Sequence, residues 1–219
     1  MRILVVRLRM GDARKEATRR FYGERLGLPV EGTGFRVGHT VLDFTPAGGE
    51  PFYHFAFRVP RNRFVAARDW VAERAAVLEE ARFENWNANA CYVEDPAGNI
   101  VELIAHGDLP EEGPPGPFAA SELLGVCELG VVGPDTKAMA AALDSLGIHL
   151  SDGTLDEPDR LAFMGGRDGV LILSPEGRGW MPTGRLSEPH AVEAAVAGHR
   201  AAEVVLPGTR HRIRTVANG

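Results

Sequence analysis

The feature that most constrains this chain is a pattern that starts twice within its first 107 residues. Residues 2–10, RILVVRLRM, alternate, with Leu4, Val6, Leu8 and Met10 on one face and Ile3, Val5, Arg7 and Arg9 on the other. That period of two is the mark of a strand. Asp12 stands where a helix N-cap would be. The stretch ARKEATRRFYGERLG then reads as an amphipathic helix with Ala17, Phe21, Tyr22 and Leu26 on its packing side and Gly27 at its end. Residues 35–45, FRVGHTVLDFT, read as two short strands hinged near Gly38.

The order then begins again. Residues 52–59, FYHFAFRV, alternate Phe55, Phe57 and Val59 against His54, Ala56 and Arg58, and Pro60 stops the strand. Asn62 is positioned to cap a helix reaching about residue 80. Residues 89–93 and 99–105 read as two strands around a DPAGN turn. Val5 and His54 fall at corresponding places, 49 residues apart, as expected of one repeated supersecondary unit.

The segment GDLPEEGPPGP is rich in Pro, Gly and acid, so residues 108–117 are expected to be a linker between parts spanning 1–107 and 118–219. The second part repeats the order more loosely. A strand at 126–132 is followed by a helix capped by Asp135 and ended by Gly147, then strands at 160–164 and 170–174 around GGRDG. After Pro189 three strands follow with no long helix between them. The whole is expected to be α+β.

Composition excludes several classes. Hydrophobic residues make up 44% and charged residues 25% of 219, close to an ordinary globular chain, so disorder is not the expected state. No apolar run approaches the roughly 18 residues of a membrane span, and no signal-peptide pattern opens the sequence. The net charge of −6 argues against nucleic acid as the main partner. Twenty-two arginines against two lysines point to codon bias rather than to a binding surface. Cys91 and Cys127 are too few for a disulfide scaffold or a four-thiolate zinc site, and a reducing cytoplasm is the expected compartment.

Three segments, RRFYGERLGL, YHFAFRVP and YVEDPAGNIVELI, together resemble the vicinal oxygen chelate superfamily. That superfamily includes glyoxalase I, extradiol ring-cleavage dioxygenases, and fosfomycin- and bleomycin-resistance proteins. The resemblance implies tandem βαβββ units forming open, cup-shaped sheets, with the second half a degenerate copy. It implies a divalent metal (Fe, Mn, Ni or Zn) held by one ligand from the first strand and one from the last strand of each unit. Carried onto this sequence, the second unit supplies His54 and Glu102. The first unit departs from the pattern: Val5 cannot ligate, and Asp43 stands where Glu is usual. The expected ligands are therefore His54, Glu102 and Asp43.

Arg7 and Arg58 share the strand parity of Val5 and His54, which makes them candidates to hold an anionic part of a substrate. His39 shares the face of Asp43 and is a candidate to line the same cavity. Asn85, Trp86, Asn87 and Asn89 precede a strand and read either as a ligand-contacting rim or as a loop whose amides satisfy the backbone. Glu128 falls near a first-strand ligand position and His190 near the start of a later strand. No DPAGN-type turn accompanies them, so the second half is expected to be mainly structural. Which residue acts as catalytic base is not readable.

The resemblance implies an enzyme acting on a small, oxygen-rich substrate chelated to the metal, by lyase or isomerase chemistry or by ring cleavage. The alternative is a metal-free binding protein of the bleomycin-resistance type. A third reading is a regulatory module with vestigial cups. A small molecule is the expected partner. Cups of this kind close within one chain or between two, so a homodimer is one expected assembly.

Overall fold

The computed structural model describes residues 1–157 and 159–217. It contains four successive units. The first comprises β1 (Ile3–Gly11), α1 (Lys15–Arg20), β2 (Val30–Glu31), β3 (Gly34–Val37) and β4 (Thr40–Ala47). The second comprises β5 (His54–Arg58), α2 (Phe64–Ala72), β6 (Val77–Phe83), β7 (Ala88–Glu94) and β8 (Ile100–His106). The third comprises β9 (Gly125–Gly133), α3 (Thr136–Asp144), β10 (Leu150–Gly153), β11 (Ala162–Gly166) and β12 (Gly169–Pro175). The fourth keeps only β13 (Glu193–Gly198), β14 (Ala202–Val205) and β15 (Arg212–Ala217), with no described helix between its strands.

In every unit the first strand pairs in parallel with the last: β1 with β4, β5 with β8, β9 with β12, and β13 with β15. The units then join antiparallel through their first strands, β1 to β13 and β5 to β9. One seven-stranded sheet runs β14-β15-β13-β1-β4-β3-β2, and one eight-stranded sheet runs β10-β11-β12-β9-β5-β8-β7-β6. Each sheet thus combines a unit from residues 1–107 with a unit from residues 118–219. Both are completed within one chain.

The convex faces pack on each other and on the helices. Leu8, Phe55, Phe57, Leu103 and Leu129 are essentially without exposure in this shared core. Burying a side chain of this size contributes roughly 1.5–3 kcal/mol. The other face of the eight-stranded sheet carries a separate apolar cluster that includes Ala56, Ala90, Ile100, Ile104, Ile172 and Trp180.

Three local expectations are corrected. Asp12 caps nothing; it begins a single 3-10 turn, and Gly11 occupies the N-cap position without a side-chain bond. Thr18, not Ala17, faces the core from α1. The helix expected from Asn62 to about residue 80 ends at Ala72, and Val77–Phe83 is an edge strand hydrogen-bonded to β7. That strand is mostly solvated, so its Glu and Arg residues imitate the outer face of a helix; pairing with β7 overrides the local pattern. Asn62 instead joins the amide and carbonyl of Gly113, tying the 108–117 segment to the second unit.

The DPAGN turn is a buried polar knot. Asp95 accepts from the amides of Ala97 and Asn99 at 2.9 Å through Oδ1. Its Oδ2 accepts from the Tyr22 hydroxyl at 2.7 Å and from Asn99 Nδ2 at 2.8 Å. Asn99 Oδ1 in turn accepts from the amide of Tyr53, and the amide of Ile100 donates to the carbonyl of Tyr53. This fixes where β8 starts relative to β5, and so which β8 side chains face His54.

Candidate metal centre

His54 and Glu102 project from the first and last strands of the second unit onto the concave face of the eight-stranded sheet. Glu128 joins them from β9. The pairing of β5 with β9 carries an irregularity: Ala56 faces Glu128 while Phe57 faces Val126. One extra residue in β9 puts Cys127 and Glu128 both on the concave side, while Val126 and Leu129 remain in the core.

The three ligand-type atoms lie within 4.8 Å of one another. His54 Nε2 is 3.5 Å from Glu102 Oε2 and 4.0 Å from Glu128 Oε2. Donors about 2.0–2.2 Å from one divalent ion are spaced by roughly this much. Among the described residues no other group of three His, Cys, Asp or Glu side chains meets this spacing. All three residues are buried, and Glu102 Oε1 and Glu128 Oε1 have no hydrogen-bond partner.

Burial sets the electrostatics. It pushes Glu128 up to about 8, and it raises Glu102 well above the carboxylate range, with the neighbouring Glu128 charge adding to the effect. Burial lowers His54 to about 4. Two dehydrated carboxylates side by side are costly unless a cation or protons compensate them. A neutral imidazole and two carboxylates with free oxygens are a donor set that a divalent cation fits.

A cavity of about 460 Å³ opens above the cluster. The loop joining β12 to β13 covers it. That loop is pinned by the Trp180 amide donating to Arg185 O, by Arg185 donating to Gly98 O, and by the Arg185 guanidinium over the Phe52 ring. Trp180 sits 5.1 Å from the His54 ring, and Tyr92 sits 6.3 Å from it on the β7 side.

The other sheet carries a second cup at matching register. In the first sheet Arg7 faces both Asp43 and Glu193; in the second Ala56 faces both Glu102 and Glu128. Val5 faces Val41 as His54 faces Ile100. So Val5 stands for His54, Asp43 for Glu102, and Glu193 for Glu128. Asp43, expected beside His54 and Glu102, belongs to this other cup because the second unit pairs with the third and not with the first. There it accepts from Arg7 at 3.0 Å and from the Thr33 hydroxyl at 3.0 Å.

The remaining expected site residues also lie away from the cluster. Arg7 bridges Asp43 and Glu193. Arg58 is buried at the far end of β5 and ion-paired with Glu111 and Asp168, so its charge is already matched. His39 packs on Gly125, whose φ of 151° and lack of a side chain admit the ring. Of the 85–89 segment, Asn85 and Trp86 line the cavity, while Asn87 bonds Arg82 and Asp108. His190 pairs with Glu188 outside the cluster. Glu128 is the member of the cluster set aside from the sequence for want of a DPAGN-type turn; its strand position is visible there, but the extra residue in β9 that aims it is not.

No protein-family model and no curated protein sequence matches the chain. Solved structures do. Glyoxalase I from Zea mays aligns at TM-score 0.56 and 16% identity over 99% of this chain and 92% of that one. A point mutant of the same enzyme gives 0.59 and 16% over 99% and 93%. A candidate dioxygenase from Bacillus subtilis subsp. subtilis str. 168 gives 0.61 and 15% over 99% and 85%. The chain has the vicinal oxygen chelate fold. The second unit contributes one cluster residue from each of its end strands, and register locates the matching last-strand position of the third unit. Val170 faces Glu128 as Ile100 faces His54, so the counterpart of Glu102 is Ile172. Ile172 lines the cavity and cannot ligate.

Proposed function

We propose that the protein is a metal-dependent enzyme in which His54, Glu102 and Glu128 hold one divalent cation and a small, oxygen-rich molecule completes the coordination. The convergence of three buried ligand-type side chains with orphaned carboxylate oxygens carries this reading. When bound, the cation would polarise two neighbouring substrate oxygens and stabilise the negative charge that develops as a proton is moved.

The chain's own residues supply the rest. Ile172 leaves a side of the cluster open where a fourth side chain would block it. Trp180, Ile104 and Tyr92 exclude water around it, which strengthens the electrostatics inside. The set has one imidazole and two carboxylates, whereas ring cleavage by iron uses two imidazoles and one carboxylate. This favours lyase or isomerase chemistry over ring cleavage. The glyoxalase I and dioxygenase relatives share the fold at under 20% identity, so they support the architecture but not a particular substrate.

The eight-stranded cup needs no second copy to assemble its ligands. None of the described helices is long and apolar enough to cross a membrane. Cys91 and Cys127 are buried free thiols, which supports the cytoplasm as the compartment. The alternative, a metal-free binding protein, is favoured by Ile172 and by the ability of the two carboxyl groups to sit protonated.

Elemental analysis by plasma mass spectrometry, before and after dialysis against Fe, Mn, Ni or Zn, tests the reading. About one equivalent is expected in the native protein and little in His54→Ala and Glu128→Gln. Equal metal content in all three would sink the assignment, and no uptake by the native protein would establish the alternative.

A further inference from the structure

The cavity above the cluster has a character of its own. Its walls are aromatic: Trp86 meets Phe163 edge to face at 4.8 Å, and Trp180 and Tyr92 flank His54. Trp86 reaches from the β6–β7 turn to hydrogen-bond Asp152 of β10, so the two outer edges of the sheet meet over the cavity. An interior of this kind favours a flat apolar body, since edge-to-face and stacked ring pairs attract beyond what area burial alone provides.

Two arginines line the same cavity, and their pairing differs. Arg82 is engaged by Glu84 and by Asn87 Oδ1. The Arg178 guanidinium bonds only the carbonyl of Gly179 and makes no ion pair among the described residues. Asp152 is held by Trp86 and the Gly153 amide. Arg178 is therefore a cation facing the cavity without a carboxylate of its own. The cluster carries two carboxylates, so a divalent ion leaves it neutral and adds no excess positive charge to attract an acid. A guanidinium is well suited to that task, because its fork matches a carboxylate or phosphate.

We propose that Arg178 is the specificity determinant of this cup and that the substrate class is a small aromatic acid. Two neighbouring oxygens of the molecule would complete the coordination of the cation held by His54, Glu102 and Glu128, its ring lies among Trp86, Phe163 and Trp180, and its anionic group pairs with Arg178. The chelating pair of oxygens rests on the metal reading above; the ring and the anion rest on the walls and on Arg178.

Hydroxamates test the three parts separately, because each presents two neighbouring oxygens to a metal. The probes are acetohydroxamate, benzohydroxamate and the 3- and 4-carboxybenzohydroxamates, titrated calorimetrically into metal-loaded and EDTA-treated protein. Benzohydroxamate is expected to bind about tenfold tighter than acetohydroxamate. The better carboxy isomer is expected to gain about another tenfold, and Arg178→Gln to remove that gain while leaving benzohydroxamate unchanged. No gain from the carboxylate, or a gain that survives in Arg178→Gln, overturns the role of Arg178. Equal affinity for acetohydroxamate and benzohydroxamate overturns the aromatic class. Loss of all metal dependence, with the Arg178-dependent gain intact, overturns the metal reading alone. Benzoate and 4-methylbenzoate titrated into EDTA-treated protein provide the second measurement for that case.

Discussion

Arg7 donates to Asp43 at 3.0 Å and to Glu193 at 3.1 Å, at the register position that Ala56 occupies between Glu102 and Glu128. The two cups therefore solve one problem in different ways. Each places two carboxylates on the strands that flank one first strand, β1 or β5. In the seven-stranded sheet the compensating cation is a side chain of the protein. In the eight-stranded sheet the same place holds a methyl group, and the compensation must come from outside or from protons. Arg9 reinforces the first arrangement by binding the other Glu193 oxygen at 2.9 Å.

The second cup can accordingly be converted. Val5→His restores the missing imidazole, and Arg7→Ala removes the resident cation. The double variant is expected to bind one more equivalent of metal than the native protein by elemental analysis. Val5→His alone should gain none, because Arg7 still holds both carboxylates. A gain in the single variant would show that the guanidinium does not occupy the site.

Ile172 offers the reverse experiment in the first cup. Ile172→His places a fourth donor at the register counterpart of Glu102. Metal is expected to dissociate more slowly in a chelator competition, by about tenfold or more. Binding of benzohydroxamate should weaken, because the added donor takes a position that the substrate needs. Unchanged dissociation would mean that Ile172 does not lie at the fourth position.

Much of this architecture is legible in the sequence. Alternation at 2–10 and 52–59 gives the first strands, and the DPAGN turn fixes the phase of β8, so His54 and Glu102 are recognisable as partners. What is not legible is pairing at a distance. Nothing in the sequence near Val5 or His54 says that β5 pairs with β9 and β1 with β13, so Asp43 is assigned to the wrong cup. Glu128 is visible near a first-strand ligand position but lacks an accompanying DPAGN-type turn; the extra residue in β9 that aims it at His54 shows only in the pairing with β5. Ile3 shows the same effect on β1, where a register shift between Ile3 and Val5 turns Ile3 into the core. Arg58 looks like a ligand-binding residue by parity, and only the fold brings Glu111 and Asp168 to neutralise it.

Asp95 is the centre of the DPAGN turn that sets β8 against β5. Its carboxylate accepts four hydrogen bonds in the interior, from two amides, the Tyr22 hydroxyl and Asn99. Asp95→Ala leaves those donors unpaired and is expected to cost about 3 kcal/mol or more of stability in urea unfolding, given roughly 1–3 kcal/mol per orphaned group. Tyr22→Phe removes one bond and should cost about 1–2 kcal/mol by the same reasoning. A loss for Asp95→Ala no larger than that for Tyr22→Phe would show that the turn does not depend on the carboxylate.

His211 makes stability depend on pH. It is buried, its Nδ1 accepts from the amide of Val192 at 3.1 Å, and its Nε2 is 2.6 Å from the carbonyl of Val132. A neutral ring with its proton on Nε2 satisfies both contacts and links the approach to β13 with β9 of the other sheet. Burial lowers its pKa in the folded protein. An unfolded histidine titrates near 6.5. Between the folded value and about 6.5 the unfolded chain binds more protons, so stability rises with pH there and is lost as pH falls. His39, His54, His106 and His190 are also lowered by burial and act in the same direction. Glu102 and Glu128, which burial raises, act in the opposite direction, so the contribution of His211 is read as the change in urea-unfolding stability between pH 7.5 and pH 5 in the native protein relative to a variant that lacks the imidazole. In His211→Gln, which keeps a donor and an acceptor without titrating, stability near pH 5 relative to that near pH 7.5 should be higher than in the native protein. The same change with pH in both proteins would mean that His211 is not held neutral in the fold.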